Sequence, residues 1–127
     1  MNSEASIWGI YQWSEECGTH MIHPDDLDKI REFRIHGKLV SLEKIAGNYS
    51  VINCDGERFR VSLERFQSLP APRYLYGQEV TAGEKLIRGI VRQIGWHHKR
   101  GEHTYYISVE GKPKKTRYFE CDLQLIK

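Results

Sequence analysis

Only one segment of this sequence repeats its apolar residues at helical spacing, which limits the folds open to the chain. The apolar residues of this segment are Leu27, Ile30 and Phe33. Pro24 suits a first helical position, and Asp25 and Asp26 would meet the positive end of the helix dipole. The pattern predicts a helix near residues 24–34, with Gly37 as its stop. A single helix excludes a doubly wound nucleotide-binding fold, which needs several.

Most of the remaining sequence alternates with a period of two, which is typical of strands. The strands that this predicts are residues 7–13, 38–45, 49–54, 57–61, 87–94, 104–110 and 114–119. Asp55-Gly56 indicates a hairpin, because a type I′ turn needs positive φ at both central positions. An aromatic-led strand, a glycine turn, a returning strand and one short helical turn occur over residues 49–66 and again over 105–123. The sequence predicts a mainly β (α+β) fold of small barrel-like units with one short α-helix.

The two halves of the chain carry opposite net charge. Residues 1–74 hold nine Lys/Arg and eleven Asp/Glu, a balance of −2, whereas residues 75–127 hold ten and six, a balance of +4. The boundary lies near Pro70-Ala71-Pro72, a short stiff connector because proline fixes φ. We therefore predict an N-terminal β unit over residues 1–74, which contains the helix, and a C-terminal β barrel over residues 75–127. Surfaces of opposite charge point to charged partners.

Composition indicates the class of protein and the cellular compartment to expect. Three Trp, seven Tyr and four Phe in 127 residues supply a core and argue against disorder. No apolar run approaches the roughly 20 residues of a membrane span, and residues 1–6 lack a secretion signal. Three scattered cysteines argue against a disulfide framework and favour a reducing compartment. We expect a cytoplasmic protein without membrane contact.

Two motifs carry a resemblance to known proteins. The front motif is Tyr11-Gln12-Trp13 with Ile22-His23-Pro24-Asp25-Asp26-Leu27, and the tail motif is Gly89-Ile90-Val91 with Trp96-His97-His98-Lys99, residues 105–112 and residues 117–123. Together they resemble an uncharacterised family of small bacterial proteins, and the tail resembles Src-homology-3-like (SH3-like) barrels. The resemblance implies this fold, a bacterial setting and, from size and fold, a toxin-immunity neighbourhood.

The residue types of catalysis and metal binding are present, but their spacing does not fit these chemistries. Cys17-x-x-His20-x-x-His23 offers three ligands where a structural zinc takes four. Neither a nucleophile elbow nor a glycine-rich phosphate loop occurs. Adjacent helical residues such as Asp25 and Asp26 point about 100° apart, so the helix start accounts for both. We predict no catalytic residue, no metal site and no cofactor, with Cys17 as a buried small apolar side chain.

Basic and aromatic residues crowd the C-terminal half. The residues predicted to bind a partner are Trp96, Lys99, Arg100, Lys112, Lys115 and Arg117. Tryptophan and arginine dominate protein interfaces, and loops 99–103 and 111–116 are expected to be neighbours at one end of the barrel. We expect a non-catalytic protein-binding module, an immunity-type protein that occludes a partner such as a toxin. The alternative is a nucleic-acid-binding barrel, whose cations neutralise phosphates and whose rings stack on bases.

Overall fold

The computed structural model describes residues 7–126 and divides the chain into an N-terminal unit, Met1–Ala71, and a C-terminal unit, Pro72–Lys127. Each unit is built on one antiparallel β-sheet, and the described residues contain one short α-helix. The predicted mainly β, α+β fold is therefore confirmed. No helix within residues 7–126 combines the length and the apolar character that crossing a membrane requires.

Five strands form the sheet of the N-terminal unit. They are β1 (Ile7–Tyr11), β2 (Leu39–Lys44), β3 (Ser50–Cys54), β4 (Glu57–Val61) and β5 (Phe66–Leu69), in the spatial order β4-β3-β2-β1-β5. Alternation turns one face inward, so Ile52, Phe59 and Val61 are fully buried. The sequence does not predict β5, because Gln67 and Ser68 are polar and four residues are too few to show a period.

The segment between β1 and β2 is helical. Three 3-10 helices, Glu15–Cys17, Thr19–Met21 and Pro24–Asp26, precede α1 (Leu27–Phe33). The last of them begins at Pro24 as predicted, and Nδ1 of His23 accepts a hydrogen bond from the Asp25 amide at 3.1 Å. The predicted stop at Gly37 is wrong. Arg34 adopts a left-handed conformation with φ 56° and donates its amide to the Ile30 carbonyl, which ends the helix before Gly37.

Asp26 joins this helical segment to the sheet. Its carboxylate accepts three hydrogen bonds from Arg60 on β4, from the amide at 2.8 Å, from Nε at 3.0 Å and from Nη2 at 3.1 Å. These bonds hold the pKa of Asp26 below its usual range. Asp26 is buried, whereas Asp25 is exposed. The interpretation of both carboxylates as helix-start residues alone is therefore wrong for Asp26.

Six strands form the sheet of the C-terminal unit. They are β6 (Glu79–Ala82), β7 (Ile87–His97), β8 (Glu102–Val109), β9 (Lys112–Pro113), β10 (Tyr118–Phe119) and β11 (Leu123–Leu125), in the order β10-β8-β7-β6-β11, with β9 also paired to β8. Val91, Ile94 and Ile107 are buried on the inner face. The hydroxyl of buried Tyr74 donates to the Leu123 carbonyl at 2.7 Å and fixes the start of the last strand, β11.

The two units repeat one chain topology. In each, the first strand lies between the second and the last, and a 3-10 helix, Leu63–Arg65 or Glu120–Asp122, directly precedes the last strand. The turn after the third strand also matches. Its residues have φ of 50° and 91° at Asp55-Gly56 and 52° and 79° at Glu110-Gly111. Positive φ at both positions confirms the type I′ turn predicted at Asp55-Gly56.

Replacement of Gly56 tests whether the Asp55-Gly56 turn requires a residue that tolerates positive φ. We expect Gly56→Val to lower the free energy of unfolding by about 1–2 kcal/mol, because a β-branched residue is strained at φ 91°. An added Cβ would meet no atom within 4 Å, so the cost is conformational and not steric. Gly56→Asn should cost clearly less, since asparagine tolerates left-handed backbone. Denaturant unfolding of both variants checks this, and equal stability of Gly56→Val and the wild type would contradict it.

Candidate partner-binding site

A cation–aromatic cluster lies at the end of the β7–β8 hairpin. It consists of His97, Arg100, Arg117 and Phe119. The guanidinium carbon of Arg100 lies 3.7 Å from the centroid of the Phe119 ring, and that of Arg117 lies 5.5 Å from it. The ring of His97 meets Phe119 edge-on at 5.6 Å. Two positively charged side chains are thus held against one aromatic ring.

Local backbone structure positions Arg100. The Nδ1 atom of His97 accepts a hydrogen bond from the Arg100 amide at 3.1 Å, and the Gly101 amide donates to the His97 carbonyl at 2.9 Å. Arg100 Nε donates to the carboxylate of Glu102 at 2.9 Å. Arg117 makes no ion pair within residues 7–126. Its guanidinium is therefore the member of the cluster that stays open to an anionic partner.

The structure brings together only part of the predicted site. Arg100 and Arg117 share the cation–aromatic cluster, and exposed Lys99 is adjacent in the same hairpin turn. Trp96 packs edge-on against the ring of His103 at 4.8 Å. Because neighbouring residues of a strand point to opposite faces, Trp96 lies on the other face of the sheet from His97.

Lys112 lies away from the hairpin end, and Lys115 lies on the segment that runs from Lys112 to Arg117. The turn before Lys112 follows β8, whereas Lys99 and Arg100 precede this strand, and seven residue steps along β8 span about 23 Å. The expectation that loops 99–103 and 111–116 are neighbours is therefore wrong. The segment after Lys112 runs back along β8 towards Phe119, which is how Arg117 reaches the cluster.

Residues Lys114–Arg117 form an exposed arch where the sequence predicts a continuous strand over 114–119. The Lys114 amide donates to the Ile107 carbonyl at 2.9 Å, and pairing resumes only between Tyr118 and Tyr105. Three residues of the arch thus lie opposite Tyr106 alone. Pro113 has no amide hydrogen to donate, and three cations within four residues repel one another. These features prevent regular pairing at this sheet edge.

Arg92 lies on β7 next to the arch. Its Nη2 donates to the Lys114 carbonyl at 3.0 Å, and its guanidinium carbon lies 5.6 Å from the centroid of the Tyr106 ring. The predicted site omits Arg92, His97 and Phe119. The alternation of Arg117 and Phe119 in the sequence could have indicated that the two share a face. No sequence signal distinguishes Arg92 from the other basic residues of its strand.

The two units use their charges differently. Of the six arginine–carboxylate ion pairs within 4.0 Å among residues 7–126, five belong to the N-terminal unit. There, arginines hold the pKa values of Glu15, Asp26 and Glu43 below their usual ranges. The C-terminal unit has the pair of Arg100 with Glu102. Most cations of the C-terminal unit are thus not neutralised within the described chain.

The side chains that could serve metal binding or acid–base chemistry either lie apart from one another or form hydrogen bonds within the fold. Among residues 7–126, no three His, Cys, Asp or Glu side chains are grouped to hold a metal ion. Cys17 is partly exposed, not buried as predicted, and its Sγ lies 3.8 Å from the Ser14 hydroxyl. Burial raises the pKa of Tyr105, whose hydroxyl donates to Glu120 at 3.2 Å and accepts from the Arg73 amide at 3.1 Å.

The fold and the exposed cations define a small two-unit antiparallel β protein with a basic C-terminal surface. The chain belongs to a family of unknown function, DUF6960, whose family model matches residues 1–124. This agrees with the resemblance to an uncharacterised family. No curated protein and no solved structure is similar enough to match the chain.

Proposed function

We propose that this chain is a non-catalytic protein-binding module, a bacterial immunity-type protein of the cytoplasm that occludes an acidic surface of a partner such as a toxin. The observation that carries the proposal is the uneven use of ion pairs. Three of the five arginines of the N-terminal unit (Arg31, Arg58 and Arg60) pair with carboxylates of that unit, whereas Lys112, Lys115 and Arg117 have no acidic partner within residues 7–126. Cations without internal partners are available to an acidic protein surface.

The proposal includes an SH3-like barrel architecture for the units. Support comes from the order of the strands, in which the last strand pairs with the first, and from the 3-10 helix that precedes the last strand. In such small barrels, loops held by a rigid sheet carry recognition. The hairpin turn with Lys99 and Arg100 and the arch with Lys115 and Arg117 would take that role here.

The cation–aromatic cluster suits recognition of a protein. A guanidinium stacked on an aromatic ring keeps its planar donors free at its edge while losing conformational freedom before binding. Arginine beside an aromatic ring is also a common composition of interface hot spots. We therefore assign Arg117 and Arg100 as the principal contacts, with Lys99, Lys112 and Lys115 at the rim and Trp96 as a separate contact on the other face.

Charge reversal in the cluster tests the proposal. Tagged wild-type protein is recovered from the native host, and the proteins that accompany it are identified and quantified. We expect Arg117→Glu to reduce recovery of the partner by about tenfold, because it places a like charge against an acidic surface. Lys44→Glu makes the same change of charge at an exposed position of the N-terminal unit and should change recovery by less than about twofold. Equal recovery with both variants would refute the assignment.

Nucleic-acid binding is the second candidate function. It is favoured by the arch, where Lys114, Lys115 and Arg117 follow one sheet edge beside the half-exposed ring of Tyr106. If this surface gripped phosphates, affinity for single-stranded DNA would fall steeply with salt, by about one unit of logarithmic slope per contact. We expect weak retention that vanishes near physiological salt. Submicromolar binding there, abolished by Lys112→Glu with Lys115→Glu, would instead establish the second function.

A further inference from the structure

The two units carry a β-bulge at the same register, but with residues of opposite charge. In the N-terminal unit, Leu42 pairs with Ile52 and Lys44 with Val51, which leaves Glu43 as the extra residue. In the C-terminal unit, Val91 pairs with Ile107 and Gln93 with Tyr106, which leaves Arg92 as the extra residue. Ile52 and Ile107 each stand three residues before their type I′ turns, at Asp55-Gly56 and Glu110-Gly111. The two bulges are therefore equivalent positions of the repeat.

The bulge residue of the N-terminal unit is half of a charge pair. Oε1 of Glu43 accepts a hydrogen bond from Arg58 Nε at 2.7 Å and another from Asn53 Nδ2 at 3.0 Å. Arg58 belongs to β4 and Asn53 to β3, so the carboxylate reaches from β2 across the sheet. These bonds hold the pKa of Glu43 below its usual range. The carboxylate of Glu43 and the guanidinium of Arg58 are thus in direct contact at this bulge.

The bulge residue of the C-terminal unit, Arg92, is a guanidinium that has no carboxylate partner within residues 7–126. No acidic side chain of residues 7–126 lies within 4.0 Å of Arg92, which donates a hydrogen bond to the Lys114 carbonyl and makes a cation–π contact with the Tyr106 ring. Its Nε is buried and has no hydrogen-bond partner among the described residues. Exposed Lys114 and Lys115 add positive charge beside it. A partly buried cation without a counter-charge is unfavourable, so an external anion gains from binding there.

We propose that Arg92 is an anchor of the partner surface and binds a carboxylate from an acidic segment of the partner protein. This inference rests on the proposed function and names the chemistry of the partner group. The partner's carboxylate would supply in the C-terminal unit the acid that Glu43 supplies in the N-terminal unit. A planar guanidinium fits a carboxylate through two parallel hydrogen bonds. Tyr106 supports the guanidinium on one side, and the arch of Lys114–Arg117 adds cations for neighbouring acidic residues.

Nuclear magnetic resonance on the full chain can observe this contact. The probe is a hexaglutamate peptide added to ¹⁵N-labelled wild-type protein. The Nε–H group of Arg92 is buried, so its hydrogen should exchange slowly enough with water to give a resolved signal. We expect this signal to move on titration, whereas that of Arg58, already bonded to Glu43 in the other unit, stays in place. A stationary Arg92 signal at saturating peptide would overturn the proposal.

Three substitutions on β7 separate a specific contact from general charge. Arg92→Gln should weaken hexaglutamate binding by about tenfold, and Arg92→Lys by a smaller factor because lysine keeps the charge but loses the planar fork. Arg88→Gln removes one exposed charge from the same strand and should weaken binding by less than about twofold. Thermal unfolding confirms that each variant is folded. If Arg92→Gln fails to fold, the lysine variant and the wild-type signal still decide the question.

Different failures have different meanings. If Arg92→Gln and Arg88→Gln weaken binding equally, the Arg92 assignment is wrong, and it is also wrong if hexathymidylate displaces the peptide from Arg92 at lower concentration. In either case, reduced recovery of the partner with Arg117→Glu would still support the proposed binding of an acidic protein. If hexaglutamate does not bind at all and no protein accompanies the wild type from the host, the proposed function itself fails.

Discussion

Gly9→Ala is expected to lower the free energy of unfolding by about 3 kcal/mol or more, because the structure leaves no room for the added methyl group. Gly9 is buried in β1, between β2 and β5. A Cβ at this position would overlap the carbonyl oxygen of Gln67 and lie 2.6 Å from Cζ of Phe66. Because the nearest atom is backbone, relief requires β5 to move away from β1. Such a movement would break the pairing of β5 with β1.

Denaturant unfolding followed by tryptophan fluorescence measures this effect, since Trp8 and Trp13 belong to the same unit. Gly47→Ala is the matched control, because an added Cβ there meets no atom within 4 Å. It should change stability by less than about 0.5 kcal/mol. A Gly9→Ala protein as stable as the control would show that β5 does not approach β1 as closely as described.

Asp26→Asn is expected to lower the free energy of unfolding by about 2 kcal/mol at neutral pH. The carboxylate is buried and accepts three hydrogen bonds from Arg60, two of which come from the guanidinium. An asparagine keeps one acceptor oxygen but loses the charge that strengthens these bonds. Arg60 is 44% exposed and stays partly hydrated, which limits the loss. Asp25→Asn, at a side chain that is 77% exposed, should cost less than about 0.5 kcal/mol.

The effect of Asp26→Asn should depend on pH in a defined direction. Arg60 hydrogen bonds hold the folded-state pKa of Asp26 below the value of about 4 that an aspartate has in an unfolded chain. The stabilisation by the carboxylate is therefore complete above about pH 4 and is lost as the pH falls through the folded-state pKa. Unfolding of wild type and variant from pH 7 downwards should give curves that converge in acid. A constant difference down to pH 2 would contradict an ionised Asp26 as the cause.

Elements whose signals are local could be predicted from the sequence. Pro24 with two aspartates identifies the helical start, and Asp55-Gly56 identifies a type I′ turn. Ser62 identifies the 3-10 turn Leu63–Arg65, where its hydroxyl accepts from the Glu64 amide at 3.4 Å. In each case a few neighbouring residues set the backbone geometry. The short strands β5, β6 and β11 give no such signal, because four or fewer residues show no period and these strands exist only through their partners.

The sequence predicts which types of residue make up the candidate site, but it does not predict which of them lie together. The sequence identifies basic and aromatic residues of the C-terminal half, and the structure brings Arg100 and Arg117 together at Phe119. It also separates Lys112 from the hairpin end by the length of β8 and places Trp96 on the other face. Strand register and the arch decide these positions, and neither can be read from residue types alone.

The sequence by itself determined that the chain is mainly β with one short helix and that its charge is divided between two halves, because alternation, turn chemistry and composition are properties of neighbouring residues. Only the tertiary structure decided what individual residues do. Gly9 must be glycine because of a strand 58 positions later in the chain, at Gln67. Asp26 is ionised and buried because Arg60 reaches it from β4. Glu43 forms an ion pair with Arg58 at the bulge of the N-terminal unit. Arg92, at the equivalent bulge in β7, lies beside the arch and has no carboxylate near it within residues 7–126. Contacts between residues distant in sequence determine such roles.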